Sequence, residues 1–291
     1  MNLEIVAGGL ISATYLVPIS ISYCLAGSHG KYLPLWLPYV GLIGAYVSYA
    51  AAEAAGLPTA LALVAGILLS AVISVGLYYG LFRGHVERGE PYPALLRAIA
   101  LTVFIEALLS WTTHGYAVSF HRMALPGSIF FPSLGQTFTG GDILAVIGAA
   151  IFAPGLAIAL KRTRSGLIFR SVASNRSLAR EYGLPIQLVD IVVLTACGSL
   201  SAIGAIMFAT KYDLSSQMLG EPAMKVAAVA VALGAERPGR VVVGILMIGI
   251  LEALVQSSPA APFASAIGYL LLIGALIIRH ALPALARGLR S

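Results

Sequence analysis

Long apolar runs separated by short polar connections recur along the whole chain. A helix needs about 20 predominantly apolar residues to cross the hydrocarbon core of a bilayer. By that rule the sequence predicts spans at residues 3–26, 34–55, 58–82, 98–114, 142–160, 185–210, 222–234, 241–256 and 263–278. The segment 222–234 is short for a full crossing and reads as a broken or re-entrant helix. A bilayer tolerates such a segment only where protein or a watery cavity shields its backbone. Nine spans divide into four, a linking helix and four. The odd offset gives the second group the opposite orientation, the arithmetic of an inverted repeat with a pathway between its halves. Each group opens on a long helix (3–26; 185–210) followed by a Pro- or Gly-interrupted segment (33–44; 220–234). The expected architecture is therefore an all-α polytopic membrane protein. It comprises a first membrane repeat (1–115), an outer connection and linking helix (116–160), a cytoplasmic loop (161–184), a second repeat (185–282) and a cytoplasmic tail (283–291).

Composition supports this reading and excludes others. Hydrophobic residues make up 59% of the chain and charged residues 10%, with a mean hydropathy of +0.91. A soluble domain carries about a quarter of its residues charged, so the surface of this chain meets something other than water. The first segment has no Lys or Arg before Lys31, unlike a secretory signal with its basic start, and reads as a retained span. Cys24 and Cys197 both fall inside apolar segments, where they read as small packing residues rather than a disulfide or a metal pair.

The formal net charge of +6 could point to nucleic acid, but its distribution points to topology. With the N-terminus outside, the inner connections hold Lys31, Arg83, Arg88, Arg97, the cluster from Lys161 to Arg180, Arg237, Arg240, Arg279, Arg287 and Arg290. That is 15 of the 18 basic residues; Arg122, Lys211 and Lys225 remain outside. Such a split is a positive-inside signal. It predicts a multi-pass protein of the cytoplasmic (inner) membrane with its N-terminus outside and C-terminus inside. It argues against a nucleic-acid partner, because the charge is divided among short loops.

Residues 161–185 form the longest polar and most basic stretch. Ser174 or Asn175 is placed to cap a short helix, and Gly183 followed by Pro185 is a stop signal. Between them Leu178, Ala179 and Tyr182 share one face, while Arg176 and Arg180 pair at i, i+4 on another. A short amphipathic helix held in a membrane loop suits docking to a soluble partner; the same composition also fits a solvated basic loop that only fixes topology.

Arg162-Thr163-Arg164, then Gly166, Arg170, Ala173, Asn175, Ala179 and Gly183 stand at spacings that resemble the permeases of branched-chain amino acid and urea/amide ABC importers. Downstream, Gly220, Met224-Lys225, Leu233-Gly234, Gly249 and Glu252-Ala253 resemble the second-half signature of that family, and Gly44-Ala45-Tyr46-Val47 its first-half counterpart. The resemblance implies that Arg164, Gly166, Arg170, Ala173, Asn175, Ala179 and Gly183 form the segment seated in a groove of a cytoplasmic ATPase. It implies a substrate pathway along Gly44, Tyr46, Gly220, Met224, Lys225, Gly234 and Glu252. It further implies a second homologous permease subunit, two cytoplasmic ATPase subunits that bind ATP and Mg, and a secreted or lipid-anchored substrate-binding protein. The chain departs from the family where Pro34-Leu35-Trp36-Leu37-Pro38 replaces an Asn-x-Ala-His-Gly stretch, and where Gly234-Ala235 leads into a shortened Glu236-Arg237-Pro238-Gly239. Both departures lie near the expected pathway and bear on substrate identity.

Ionisable groups within spans are functional candidates. Glu106 and Asp190 could each pair with Ser, Thr or a neighbouring loop Arg; Glu106 also fits a helix–helix bond. Glu252 fits either a structural bond or a substrate contact. No phosphate-binding Gly-x-x-x-x-Gly-Lys-Ser/Thr loop and no metal-spaced Cys/His cluster occurs. The expectation is a non-catalytic permease subunit with no cofactor of its own, energised by partner ATPases. Two rivals stay open. An ion-coupled secondary transporter would use a mid-membrane carboxylate such as Glu106. A ribose-type sugar permease would carry an Asp-Leu-Ser-x-Gly stretch in its first half, whereas here Asp213-Leu214-Ser215 lies in the second.

Overall fold

A computed structural model describes residues 2–119, 128–131, 136–258, 261–263, 266, 269–270 and 273–274. Helices dominate: α1 (Asn2–Thr14), α2 (Val17–Gly30), α3 (Leu37–Glu53), α4 (Thr59–Leu77), α5 (Arg83–Arg88) and α6 (Pro91–Thr112) precede a two-stranded antiparallel hairpin, β1 (Ser128–Phe131) and β2 (Gln136–Thr139). After it come α7 (Gly140–Arg162), α8 (Arg164–Ser174), α9 (Arg176–Glu181), α10 (Ile186–Tyr212), α11 (Gly220–Leu233) and α12 (Pro238–Gln256). Pro18, Pro38, Pro91 and Pro238 each stand in a first helical turn, where the missing N–H would have had no intrahelical partner. Thr139 and Asp142 form a reciprocal capping box at the start of α7.

Five stretches are long and apolar enough to cross a bilayer: Thr59–Arg88, Pro91–Thr112, Gly140–Arg162, Ile186–Tyr212 and Pro238–Gln256. The first includes a π-helical turn, Tyr78–Phe82, that joins α4 to α5. Glu4–Thr14 and Val17–Gly30, which meet at a 46° bend, are long and apolar enough only when taken together, as a broken span or a re-entrant loop. The sequence expectation of one long helix over 3–26 is thus corrected: α1 ends at Thr14 and α2 begins at Val17 with Pro18 in its first turn. Helix α3, at 17 residues, is shorter than those five and largely buried. The 14 residues of α11 reach about 21 Å, short of the bilayer core of about 30 Å. Except for Phe263 and a few isolated residues, the expected span 263–278 and the tail 283–291 lie outside the described residues.

The centre of the molecule is α10, packed against α2, α3 and α4. Helix α2 is buried along almost its whole length, whereas the apolar core of α7 is only 6% buried and that of α12 only 17%. Leu68, Val72, Val103, Phe104, Ile151, Ile158, Val243 and Met247 point outward, which is the surface of a protein solvated by lipid chains. Small residues bring the inner helices together. A Cβ at Gly66 of α4 would stand 2.2 Å from the carbonyl oxygen of Gly44 in α3, and one at Gly249 of α12 would stand 2.5 Å from the Cβ of Ala13 in α1. Without a hydrophobic drive between helices in lipid, such backbone approach is what holds them.

The basic stretch after α7 holds two helices where one was expected. Gly166, Phe169 and Val172 bury one face of α8. Of the two capping candidates, Asn175 is the cap of α9, its side chain accepting from the Leu178 N–H at 3.1 Å. Gly183 follows with φ of +71°, a left-handed stop open to glycine at no steric cost.

Candidate functional site

Two cavities lie at opposite ends of the short helix α11. The first, about 550 Å³, opens near the C-terminal end of α12, between α1, α11 and α12. Its charged group is a trio. Lys225 Nζ lies 2.7 Å from Glu221 Oε1, one turn earlier on α11, and 2.6 Å from Glu252 Oε1 on α12. The lysine is 13% exposed and Glu252 19%, while Glu221 is 51% exposed at the mouth. Ile5, Val226, Val229, Ile245 and Ile248 supply apolar walls, and Gly8, Gly9 and Gly249 keep the wall thin. A cation flanked by two carboxylates beside an apolar wall can take a small molecule that itself carries both charges and an aliphatic group. The volume is that of an ordinary ligand pocket.

The second cavity, about 850 Å³, lies at the C-terminal end of α11 and is lined by Gly27, Ser28, Lys31 and Tyr32 from α2 and its end, and by residues 230–237 and Arg240. Here Gly234 takes φ of +86°, and Ser28 Oγ donates to the Ala235 carbonyl at 3.1 Å, joining the turn after α11 to α2. Between the cavities, Val226, Ala227, Val229 and Ala230 of α11 are buried together with Val241 and Ile245 of α12. Val226, Val229 and Ile245 also line the first cavity and Ala230 the second, so an apolar stretch of α11 and α12 runs from one opening to the other.

Among the expected pathway residues, Lys225 and Glu252 therefore meet in the first cavity and Gly234 lines the second. Gly220 starts α11, and a Cβ there would lie 3.6 Å from the Tyr39 hydroxyl. Met224 faces away from the first cavity and is 53% exposed. Gly44 is closed into the α3–α4 contact, where a Cβ would stand 2.1 Å from Ser70 Oγ. Tyr46 lines a third cavity of about 430 Å³ between α3, α6 and the strand-like segment at Val118. The structure does not bring Gly44 and Tyr46 to the cavities along α11.

The basic loops gather at one end of the molecule. Lys31 Nζ donates to the Ser174 carbonyl at 3.0 Å, and Arg180 lies 3.6 Å from Glu87 of α5. At the same end Asp190 of α10, 1% exposed, is gripped from two sides. His29 Nε2 of α2 lies 2.6 Å from its Oδ1, and Arg176, the first residue of α9, pairs with its Oδ2. Among the partners expected for Asp190 was a loop arginine, and Arg176 is that arginine. The two arginines of α9 do not form one exposed basic face, because Arg176 is drawn inward to 13% exposure while Arg180 is 63% exposed. The apolar face also divides: Ala179 is buried against the bundle, whereas Leu178 and Tyr182 are 45% and 77% exposed. Arg164, Arg170 and Asn175 are exposed and Ala173 is half-buried. Gly166 sits where a Cβ would be 2.4 Å from the Ala159 carbonyl, which lets α8 fold back sharply on α7.

Glu106 accepts from the Tyr39 hydroxyl at 3.3 Å, joining α6 to α3. At the end opposite the basic loops, Asp142 Oδ1 accepts from the Tyr15 hydroxyl at 2.9 Å and from Lys211 Nζ at 3.0 Å. Sequence reasoning missed His29, Glu221 and the Asp142–Lys211 pair. The i, i+4 spacing of Glu221 and Lys225 was a readable signal; a lone His near a helix end gave none.

A family profile described as branched-chain amino acid transport system / permease component matches residues 39–278. The chain is 25% identical to the high-affinity branched-chain amino acid transport system permease protein LivH of Salmonella typhimurium (strain LT2), over 92% of this chain and 88% of that protein. Its identity to the protein of the same name from Escherichia coli (strain K12) is 24% over the same shares. It is also 26% identical to the autoinducer 2 import system permease protein LsrC of Enterobacter sp. (strain 638), over 56% of this chain and 46% of that protein.

Proposed function

Since this chain belongs to the family of branched-chain amino acid transport system permease components, we propose that it forms the membrane pathway of an ATP-driven importer for amino acids or related small polar solutes. The carrying observation is the pair of cavities at the two ends of α11, one holding the Lys225–Glu221–Glu252 trio, with an apolar stretch of α11 and α12 running between them. In this reading the substrate carboxylate exchanges for a glutamate on Lys225, its ammonium meets Glu221 or Glu252, and its side chain rests on the aliphatic wall. Opening that stretch toward one cavity while closing it toward the other gives alternating access.

The basic end faces the cytosol in this proposal, since excess Lys and Arg mark that side; the N-terminus is then outside and the membrane is the inner one. An inverted repeat is supported by reciprocal packing: α10 opens the second half and packs on α3 and α4, while the α1–α2 pair opens the first half and packs on α11 and α12. One of two ATPase subunits docks on α8 and α9, where Leu167, Leu178 and Tyr182 are exposed, and the other on the partner permease. A second permease subunit and an external binding protein complete the importer, and ATP with Mg is bound by the ATPases. Likeness to an autoinducer 2 permease keeps a sugar-like solute as the second reading.

The test is uptake of radiolabelled leucine into proteoliposomes holding the chain with the ATPase, second permease and binding-protein products of its neighbouring genes. We expect uptake that requires ATP and external binding protein. Uptake driven by a proton gradient without ATP would replace this function with ion-coupled transport, and competition by autoinducer 2 but not by leucine, isoleucine or valine would move the substrate class.

A further inference from the structure

The ionic cluster at the basic end has a geometry that topology alone does not require. Three elements converge on one buried carboxylate: α10 supplies Asp190, α2 supplies His29 and α9 supplies Arg176, whose Nη1 also lies 3.4 Å from His29 Nε2. His29 is stacked on Phe169 of α8 at 6.1 Å between ring centroids and flanked by Tyr78 at 6.3 Å. Among the described residues His29 Nδ1 and Arg176 Nε are buried without a hydrogen-bond partner, and the two ion pairs to Asp190 are the contacts that hold these side chains. Withdrawing one member of a buried charged group leaves the others uncompensated, which is strongly destabilising. The segment α8–α9 and the near ends of α2 and α10 are therefore bound to move together.

Helix α2 can carry that movement across the molecule. At its basic end Gly27 and Ser28 line the second cavity. At its far end the Tyr15 hydroxyl is held by Asp142, and past the 46° bend α1 supplies Ile5, Gly8, Gly9 and Ser12 to the first cavity. The α1–α2 pair, gripped at one end by the coupling segment and bent between its two helices, thus borders both openings, α2 the second and α1 the first.

We propose that His29, Asp190 and Arg176 form a positioning joint that delivers displacement of α9 to α2, and through α2 to both cavities. This rests on the importer reading given above. The joint stays closed through the cycle, and the cavities change around it.

Two measurements on the full-length chain test this independently. In lipid nanodiscs, without any partner, hydrogen exchange of the amides of 176–182 is compared between wild type, Asp190→Asn, Arg176→Lys and the double variant Arg176→Gln/Asp190→Asn. We expect exchange to rise at least tenfold in Asp190→Asn and in the double variant, and to stay near wild type in Arg176→Lys, which keeps the charge. Unchanged exchange in the double variant would overturn the joint. In the reconstituted importer, the double variant, which removes the buried carboxylate and the guanidinium together, should assemble and hydrolyse ATP at the basal rate. It should lose stimulation by loaded binding protein and at least nine-tenths of leucine uptake. Wild-type uptake in that variant, or its failure to assemble, would overturn a transmitting role. Absence of ATP-dependent uptake in the wild type would instead remove the importer reading and leave the exchange result standing.

Discussion

Lys225 shows how a single residue can be both a structural tie and a binding group. Its ammonium neutralises Glu252, which is four-fifths buried, and Glu221 at the cavity mouth. Replacing it by Met leaves Glu252 facing an apolar wall without a cation. A broken buried pair costs about 3–5 kcal/mol, and water entering the cavity brings the expected loss toward the lower value. Lys225→Met should therefore lower the thermal midpoint of the detergent-purified chain by several degrees. Adding Glu252→Gln removes the uncompensated charge and should restore most of the stability but none of the uptake. Thermal unfolding followed by tryptophan fluorescence, beside leucine uptake, separates the two roles. Both residues were legible in the sequence, Lys225 through the family resemblance and Glu252 also as a carboxylate inside an apolar run, where a charge is costly. His29 was not: a histidine within two residues of a helix end usually reaches water, and only the fold shows Phe169 and Tyr78 closing over it.

At the scale of elements, length and apolarity carried the long helices. The expected 142–160 and 241–256 became Gly140–Arg162 and Pro238–Gln256, and 185–210 became Ile186–Tyr212. Hydropathy is blind to what happens inside an apolar run, so the bend between α1 and α2 and the π-helical turn after α4 were not visible. It also misreads α8, whose apolar face is only Gly166, Phe169 and Val172 in a run rich in Arg and Ser. Glycine was the least decisive signal, because one residue type serves helix contact and pathway alike. Gly249 is a contact glycine that also borders the first cavity. Valine there would put its Cβ 2.5 Å from the Ala13 Cβ. Overpacking of this kind costs about 1–3 kcal/mol, so Gly249→Val should lower the unfolding midpoint, and Ala13→Gly should recover part of the loss. In α9 the division of faces predicts opposite outcomes for neighbours. Leu178→Ala and Tyr182→Ala, at exposed sites, should leave chain stability unchanged and weaken ATPase pull-down. Ala179→Leu, at a buried site, should lower the stability of the chain itself.

For the whole molecule, the distribution of charge and apolar surface makes one prediction that every functional statement depends on. The outward faces of α4, α6, α7 and α12 are apolar, so the molecule lies across the bilayer with two polar ends. The contacts Lys31–Ser174, Arg180–Glu87 and Arg176–Asp190 collect the basic loops at one end, and Tyr15, Asp142 and Lys211 mark the other. The energetics of orientation depend on which end must be translocated, and short Lys- and Arg-rich loops stay in the cytosol. The native thiols Cys24 and Cys197 are 1% and 0% exposed, so they form a silent background for labelling. Tyr182→Cys, beside α9 at the basic end, and Tyr116→Cys, after α6 at the opposite end, occupy sites 77% and 74% exposed. A membrane-impermeant maleimide applied to intact spheroplasts should label Tyr116→Cys at once and Tyr182→Cys only after permeabilisation. The reverse pattern would put α8 and α9 beyond the reach of any cytosolic ATPase. It would also turn the Lys225 cavity toward the cytosol.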